Sequence, residues 1–260
     1  MDKYSFLEAL KSEAATFNAA VSTGSGDWIV KGFIDIARNI YTISVDTKVI
    51  SKIMELLLFP EFSKFAEKYN LKMVLAGQQN FYPDISFVDS ENNRFALDLK
   101  STYRITSDKV NGMTLGAFTG YFRNRISTKN ITFPYGSYTG HYVLGVIYSK
   151  MDGLVDERKR YSLDELERIT SVIRDFQFFA QEKYKIALDR PGSGNTKNIG
   201  SVTIVDQLLN GTGPFANLGE DIFNEYWVYY LTNDMARAAE LEKRPYINLK
   251  SFLKYRGIEK

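Results

Sequence analysis

The strongest constraint on this chain lies between Tyr82 and Lys100. Residues 94–100 read Arg-Phe-Ala-Leu-Asp-Leu-Lys. Phe95, Leu97 and Leu99 alternate there with Ala96, Asp98 and Lys100, the period of a half-buried strand. Asp98 and Lys100 therefore share a face, opposite the three larger apolar residues. Upstream, Tyr82-Pro83-Asp84 leads into Ile85-Ser86-Phe87-Val88, a short β-rich run. The proline forces an extended entry and fixes where the Asp84 carboxylate points. Between the two runs lies Asp89-Ser90-Glu91-Asn92-Asn93, which is turn chemistry. A hairpin over this span brings Asp84 and Asp98 to one end of one sheet. Two carboxylates and an ammonium so placed can hold a divalent ion against a phosphate, although a surface hairpin with a polar face has the same pattern.

Composition narrows the chemistry. There is no cysteine, which excludes disulfides, thiolate nucleophiles and thiolate zinc sites. The single histidine, His141, opens the apolar run Tyr142-Val143-Leu144-Gly145-Val146-Ile147-Tyr148 and reads as a structural residue at a strand end. No Gly-x-Ser-x-Gly elbow accompanies it, so serine-hydrolase chemistry has no support. Any metal must be bound mainly by oxygen, which favours Mg2+, with Mn2+ as a substitute. The content is 44% hydrophobic and 25% charged over 260 residues, that of an ordinary globular chain. No apolar run reaches the length of a membrane span, and Met1-Asp2-Lys3-Tyr4 lacks signal-peptide features. A cytoplasmic location and no membrane partner are expected. The net charge of +2 does not by itself announce nucleic acid.

The rest reads as one α/β unit over residues 1–260. A helical stripe covers 4–20 (Phe6, Leu7, Leu10, Ala14, Phe17), followed by short strands at Trp28-Ile29-Val30 and Tyr41-Thr42-Ile43. Asp46-Thr47 caps a helix whose apolar side carries Ile50, Ile53, Met54, Leu57 and Leu58, and Pro60 breaks or re-aims it. Strands are expected at 71–76, 84–89, 94–103 and 141–149, with 113–126 mainly helical. Residues 151–160 form a charged link. Ser162-Leu163-Asp164-Glu165 is a capping box starting a helix, and 170–187 reads as helix, or helix then strand. Pro191 to Ser201 is a loop, and Phe215 to Glu242 a long amphipathic segment. The tail is basic, with Lys250, Lys254, Arg256 and Lys260.

Three stretches together resemble the EcoRV-type restriction endonucleases of the PD-(D/E)xK nuclease superfamily. They are Gln78-Gln79-Asn80-Phe81-Tyr82-Pro83-Asp84, Ala96-Leu97-Asp98-Leu99-Lys100-Ser101-Thr102-Tyr103 and Gly192-Ser193-Gly194-Asn195-Thr196-Lys197-Asn198-Ile199-Gly200-Ser201. Ser44-Val45-Asp46-Thr47-Lys48-Val49 and Thr128-Lys129-Asn130-Ile131 add to the likeness, which covers roughly residues 44–205. Phe81, where a polar residue is expected, and Lys197, where the family commonly has a small polar one, depart from the pattern.

The resemblance implies a restriction-endonuclease-like core: a mixed central β-sheet flanked by helices, with a small dimerisation element near 21–45 and 156–172. It implies that Asp84, Asp98 and the Leu99 carbonyl ligate Mg2+, with Glu55 near a second metal position. Lys100 would stabilise the phosphorane charge and orient the attacking water. Gly192, Ser193, Gly194, Asn195, Thr196, Lys197 and Asn198 would read the major groove, and Gln78, Gln79 and Asn80 the minor groove. Thr47, Lys48, Thr102 and Lys129 would touch phosphates. The implied enzyme is a homodimeric type II endonuclease that cuts GATATC bluntly, leaving 5′-phosphate and 3′-hydroxyl ends. A cognate methyltransferase would act on the same double-stranded site. Two other readings share the same acids: a structure-specific nuclease, such as a junction resolvase or repair nicking enzyme, and a non-catalytic DNA-binding relic.

Overall fold

The computed structural model describes residues 1–151, 158–192 and 197–258. Its strands are β1 (Gly32–Ile34), β2 (Ile40–Thr42), β3 (Lys72–Leu75), β4 (Ile85–Val88), β5 (Arg94–Tyr103), β6 (Thr114–Ala117), β7 (Gly140–Lys150), β8 (Arg160–Tyr161), β9 (Ile173–Glu182), β10 (Ala187–Pro191) and β11 (Asn198–Ser201). Its helices are α1 (Lys3–Ser12), α2 (Ala14–Val21), α3 (Thr47–Lys68), α4 (Lys183–Ile186), α5 (Val205–Asn210), α6 (Glu220–Tyr229), α7 (Asn233–Ala238) and α8 (Leu249–Tyr255).

The central sheet has the order β3-β4-β5-β7-β9. Every pairing in it is antiparallel except β5 with β7, so the sheet is mixed, as expected. Both faces are covered. Phe95 and Leu97 of β5, with Tyr142, Leu144 and Tyr148 of β7, pack against Phe6, Leu10, Phe17, Ile50, Leu58 and Phe62 of α1, α2 and α3. On the other face Ala96, Val143 and Ile147 meet Leu115, Phe118, Phe122, Phe223, Tyr226 and Trp227. Burial on both sides explains why β7 reads as a continuous apolar run. The β6, β10 and β11 strands form a second antiparallel sheet, and β1, β2 and β8 a third. That third sheet joins the two segments, 21–45 and 156–172, expected to form one small element. Residues 156 and 157 lie outside the described residues.

Several elements differ from the sequence reading, each for a local reason. The first helix divides at Glu13 into α1 and α2. The strand expected at Trp28-Ile29-Val30 lies at 32–34, and residues 27 and 28 make only isolated bridges. Pro60 does not break α3, which runs from its Asp46 cap to Lys68 because Leu58 and Phe62 on either side are both buried. Residues 113–126 are not mainly helical: they hold β6 and one 3-10 turn at Gly120–Phe122. The Ser162–Glu165 capping box is present, but it heads a 3-10 helix at Leu163–Arg168. Residues 173–182 are strand, with no helix over 170–172, because antiparallel pairing with β7 claims them. The amphipathic segment beyond Phe215 is cut into α6 and α7, with Thr232 capping the second.

Phe6 anchors α1 to the sheet. It is fully buried, stacks on Phe95 at 4.4 Å between ring centroids and meets Phe65, Phe87 and Tyr142. Phe6→Ala should cost about 3–5 kcal/mol of unfolding free energy, read by urea denaturation, because the surrounding rings cannot close the cavity.

Candidate active site

The β4–β5 register builds the site. Ile85 pairs with Leu97, and one further step of that register sets Asp84 opposite Asp98. Backbone pairing of β4 with β5 ends at Ile85, and the Asp84 side chain takes over: its Oδ2 accepts the Leu99 N–H at 2.8 Å. Like charges directly across a ladder repel. Lys100, two residues beyond Asp98 on the same face, offsets this. Its Nζ lies 3.4 Å from Asp98 Oδ2 and 3.7 Å from Asp84 Oδ2. Asp98 is 4% exposed, whereas Asp84 and Lys100 are partly open.

Burial raises the Asp84 carboxyl above its ordinary value. The Lys100 charge and the Leu99 N–H pull it down, while Asp98 and Glu55 push it further up. Burial alone would lower the Lys100 ammonium, but Asp98 and Asp84 outweigh it and hold it above the ordinary lysine value. The set is a cation drawn between two hard oxygen donors, the donor chemistry that suits a divalent ion. Asp84, Asp98 and the Leu99 main chain could hold one. Among the described residues no group of three or more His, Cys, Asp or Glu side chains gathers at one point. Glu55 shares a cleft wall with Asp84, but its carboxylate pairs with Lys52 at 2.8 Å on the same helix.

Two clefts of about 550 and 500 Å³ meet at Gln79, Asp84 and Lys100. The first is walled by Asn80, Asp98, Lys129 and Asn198, and the second by Thr47, Lys48, Glu55 and Thr102. Most residues expected at the site therefore share one groove. Gln78 lies beside it, in a third recess with Gln79 and Asp84. Thr102 is buried, and its hydroxyl donates to the Asn111 carbonyl at 2.6 Å. Gly192 and Gly200 stand back to back: a Cβ on Gly200 would lie 2.8 Å from Gly192 Cα. This contact and the Gly192 N–H to Asn198 carbonyl bond, 3.0 Å, fix the base of the 192–198 segment. Lys197 accepts the Phe118 N–H on its carbonyl at 3.0 Å. Ser193, Gly194, Asn195 and Thr196 lie outside the described residues.

The structure adds wall residues that the sequence reading missed: Gly116, Thr119, Gly120, Tyr121, Asn124 and Ser127. The signal was the presence of three glycines, Gly112, Gly116 and Gly120, each of which weakens a helix there. Gly116 has φ +89°, a conformation open to glycine. His141 is buried, as expected of a structural residue. Its Nδ1 shares a hydrogen bond with the Tyr82 hydroxyl at 2.8 Å, and its ring stacks on Tyr135 at 3.9 Å. Burial first, then the Lys183 and Arg125 charges, hold it well below the ordinary histidine value, so it is neutral.

The model of the family described as "Restriction endonuclease EcoRV" matches residues 24–257. The chain belongs to the EcoRV family of restriction endonucleases. "Type II restriction enzyme EcoRV" from Escherichia coli is 36% identical over 233 residues, which cover 88% of this chain and 91% of that protein. Among solved structures, "NlaIV restriction endonuclease" aligns over 99% of this chain and 90% of its own, with a TM-score of 0.45 and 13% identity. As a member of the EcoRV family the chain is a type II site-specific deoxyribonuclease, a phosphodiester hydrolase whose family implies DNA binding. EcoRV-type enzymes generally use divalent metal ions. No described helix is long and apolar enough to cross a membrane.

Lys100→Met tests the charge balance of the site. Without the ammonium, the Asp84 titration should move further upward, followed by carbon NMR of its carboxyl group. An unmoved titration would mean that the three groups are not coupled.

Proposed function

We propose that this EcoRV-family nuclease hydrolyses double-stranded DNA with Mg2+ held by Asp84, Asp98 and the Leu99 carbonyl. Mn2+ substitutes, and Glu55 lies near a second metal position. The observation that supports this most is Lys100 Nζ lying within 3.7 Å of both carboxylates at the junction of two clefts. A bound divalent ion supplies a Lewis acid against the scissile phosphate and acidifies water. Lys100 orients the attacking water and stabilises charge on the phosphorane oxygens. Lys48 and Lys129, on opposite parts of the groove, suit phosphates, with Thr47 beside Lys48, whereas the Thr102 hydroxyl is taken up by the Asn111 carbonyl. Gln78, Gln79 and Asn80 face the minor groove, and residues 192–198 read the major groove. Asn195 can pair with the adenine edge there.

The proposed target is GATATC, cut bluntly at its centre to leave 5′-phosphate and 3′-hydroxyl ends. The central T·A step would be sensed through its ease of kinking. The enzyme works in the cytoplasm beside a methyltransferase that modifies the same site and need not bind this protein.

Plasmid digestion with Mg2+, followed by sequencing of the ends, tests this directly. A defined ladder with blunt GATATC ends is expected, and activity confined to branched DNA would favour a structure-specific nuclease. Asp98→Ala should lower cleavage by several orders of magnitude while leaving the fold and most DNA affinity, since it removes an ion ligand and not a packing group. Turnover at the wild-type rate would sink the site assignment.

A palindrome calls for a two-fold protein, and the sheet of β1, β2 and β8 is the surface proposed for a second copy. Phe33, Ile34 and Tyr41 of that sheet are exposed, as are the neighbouring Ile36, Leu163 and Leu166. Ile36→Asp should shift the chain from dimer to monomer in sedimentation velocity. A monomeric wild type, or an unaltered dimer in the variant, would rule this surface out.

A further inference from the structure

Lys183 is a buried lysine with no ordinary structural employment. It begins α4, directly after β9, and is 1% exposed. Its Nζ has no hydrogen-bond partner in the structure. Its neighbour Glu182 pairs instead with Lys185, at 2.7 Å. The Lys183 ammonium lies over aromatic faces, 4.7 Å from the Tyr82 ring centroid, 5.5 Å from that of Tyr135 and 5.7 Å from that of Phe122. Such faces attract a cation but do not replace its hydration. An apolar side chain of similar volume would fill this pocket at lower cost.

Its position gives the charge a use. Gly116 lines the cleft that holds Asp84, Asp98 and Lys100. A Cβ on Gly116 would lie 3.4 Å from Lys183 Nζ and 3.4 Å from the Tyr121 hydroxyl. The ammonium therefore stands behind a wall that is one glycine thick, next to the tyrosine that leads into Pro83-Asp84. Burial pushes Lys183 down to about 8, Asp98 pulls it back up and Lys100 opposes it, with weaker effects from Glu220 and Arg125. The other titratable groups around it are Tyr82, Tyr121, Tyr135 and neutral His141.

We propose that Lys183 is a positioning residue whose buried ammonium acts through the Gly116 wall on the acidic pair. Its charge adds to that of Lys100 and so weakens the affinity of the empty cleft for a divalent cation. This rests on the proposed role of Asp84 and Asp98 as ion ligands.

The test is Ca2+ binding to the whole chain without DNA, followed by calorimetry at pH 7.0 and 9.0. Lys183→Met should bind Ca2+ roughly threefold or more tightly than wild type at pH 7.0, because one repelling charge is gone. Wild type should tighten between pH 7.0 and 9.0 as Lys183 loses its proton. Lys183→Arg stays charged and should not tighten, a contrast that stands even if the methionine variant does not fold. Equal affinities of a folded Lys183→Met and wild type at pH 7.0, or equal pH responses of wild type and Lys183→Arg, would overturn the role of Lys183. Asp98→Ala separates the two ideas. If it binds Ca2+ as wild type does, the ion-ligand reading fails and the Lys183 proposal with it. If it abolishes binding, that reading stands whatever Lys183 does.

Discussion

The register of β5 between β4 and β7 is the constraint on which the rest depends. Pairing of Ile85 with Leu97 on one side and of Leu99 with Leu144 on the other leaves Asp98 no freedom of face. A slip by one residue would turn Asp98 and Lys100 into the cluster around Phe6 and bring Leu97 and Leu99 out to the cleft. The apolar alternation that forbids this slip also delivers the chemistry. Stability and site geometry are set by the same residues, and Phe95 and Leu97 hold the charged groups in place as surely as any polar contact.

The site stores electrostatic conflict and then relieves it. Two carboxylates set opposite each other, one nearly sealed from water, would be costly without compensation. Lys100 supplies it at 3.4 and 3.7 Å, and the Leu99 N–H adds a bond to Asp84. The relief is incomplete, since burial still holds the Asp84 carboxyl above its ordinary value.

Local pattern made some of this legible and not the rest. The strict alternation at 94–100 and the turn residues at 89–93 announced the β4–β5 hairpin, and with it the pairing of Asp84, Asp98 and Lys100. The Asp46 cap and the Ser162–Glu165 box were equally plain. Residues 113–126 misled because β6 is short, pairs among the described residues only with distant β11 and is interrupted by a positive-φ glycine. Residues 173–182 misled because a strand buried by long-range pairing with β7 has an apolar count close to that of a helix. Lys183 was invisible for the same reason. Nothing in Gln181-Glu182-Lys183 tells which of two lysines, 183 or 185, turns inward, because that depends on how β9 leaves the sheet.

The Asp84 side chain acts as the last rung of the β4–β5 ladder, accepting the amide of Leu99 where β4 itself has ended. The carboxylate proposed as an ion ligand is thereby wired into main-chain order. Any occupant of the cleft that draws this oxygen away loosens the rung, and any that leaves it in place keeps the strand end closed. The exchange rate of that one amide proton is thus a built-in gauge of what the cleft contains, readable without following the reaction at all.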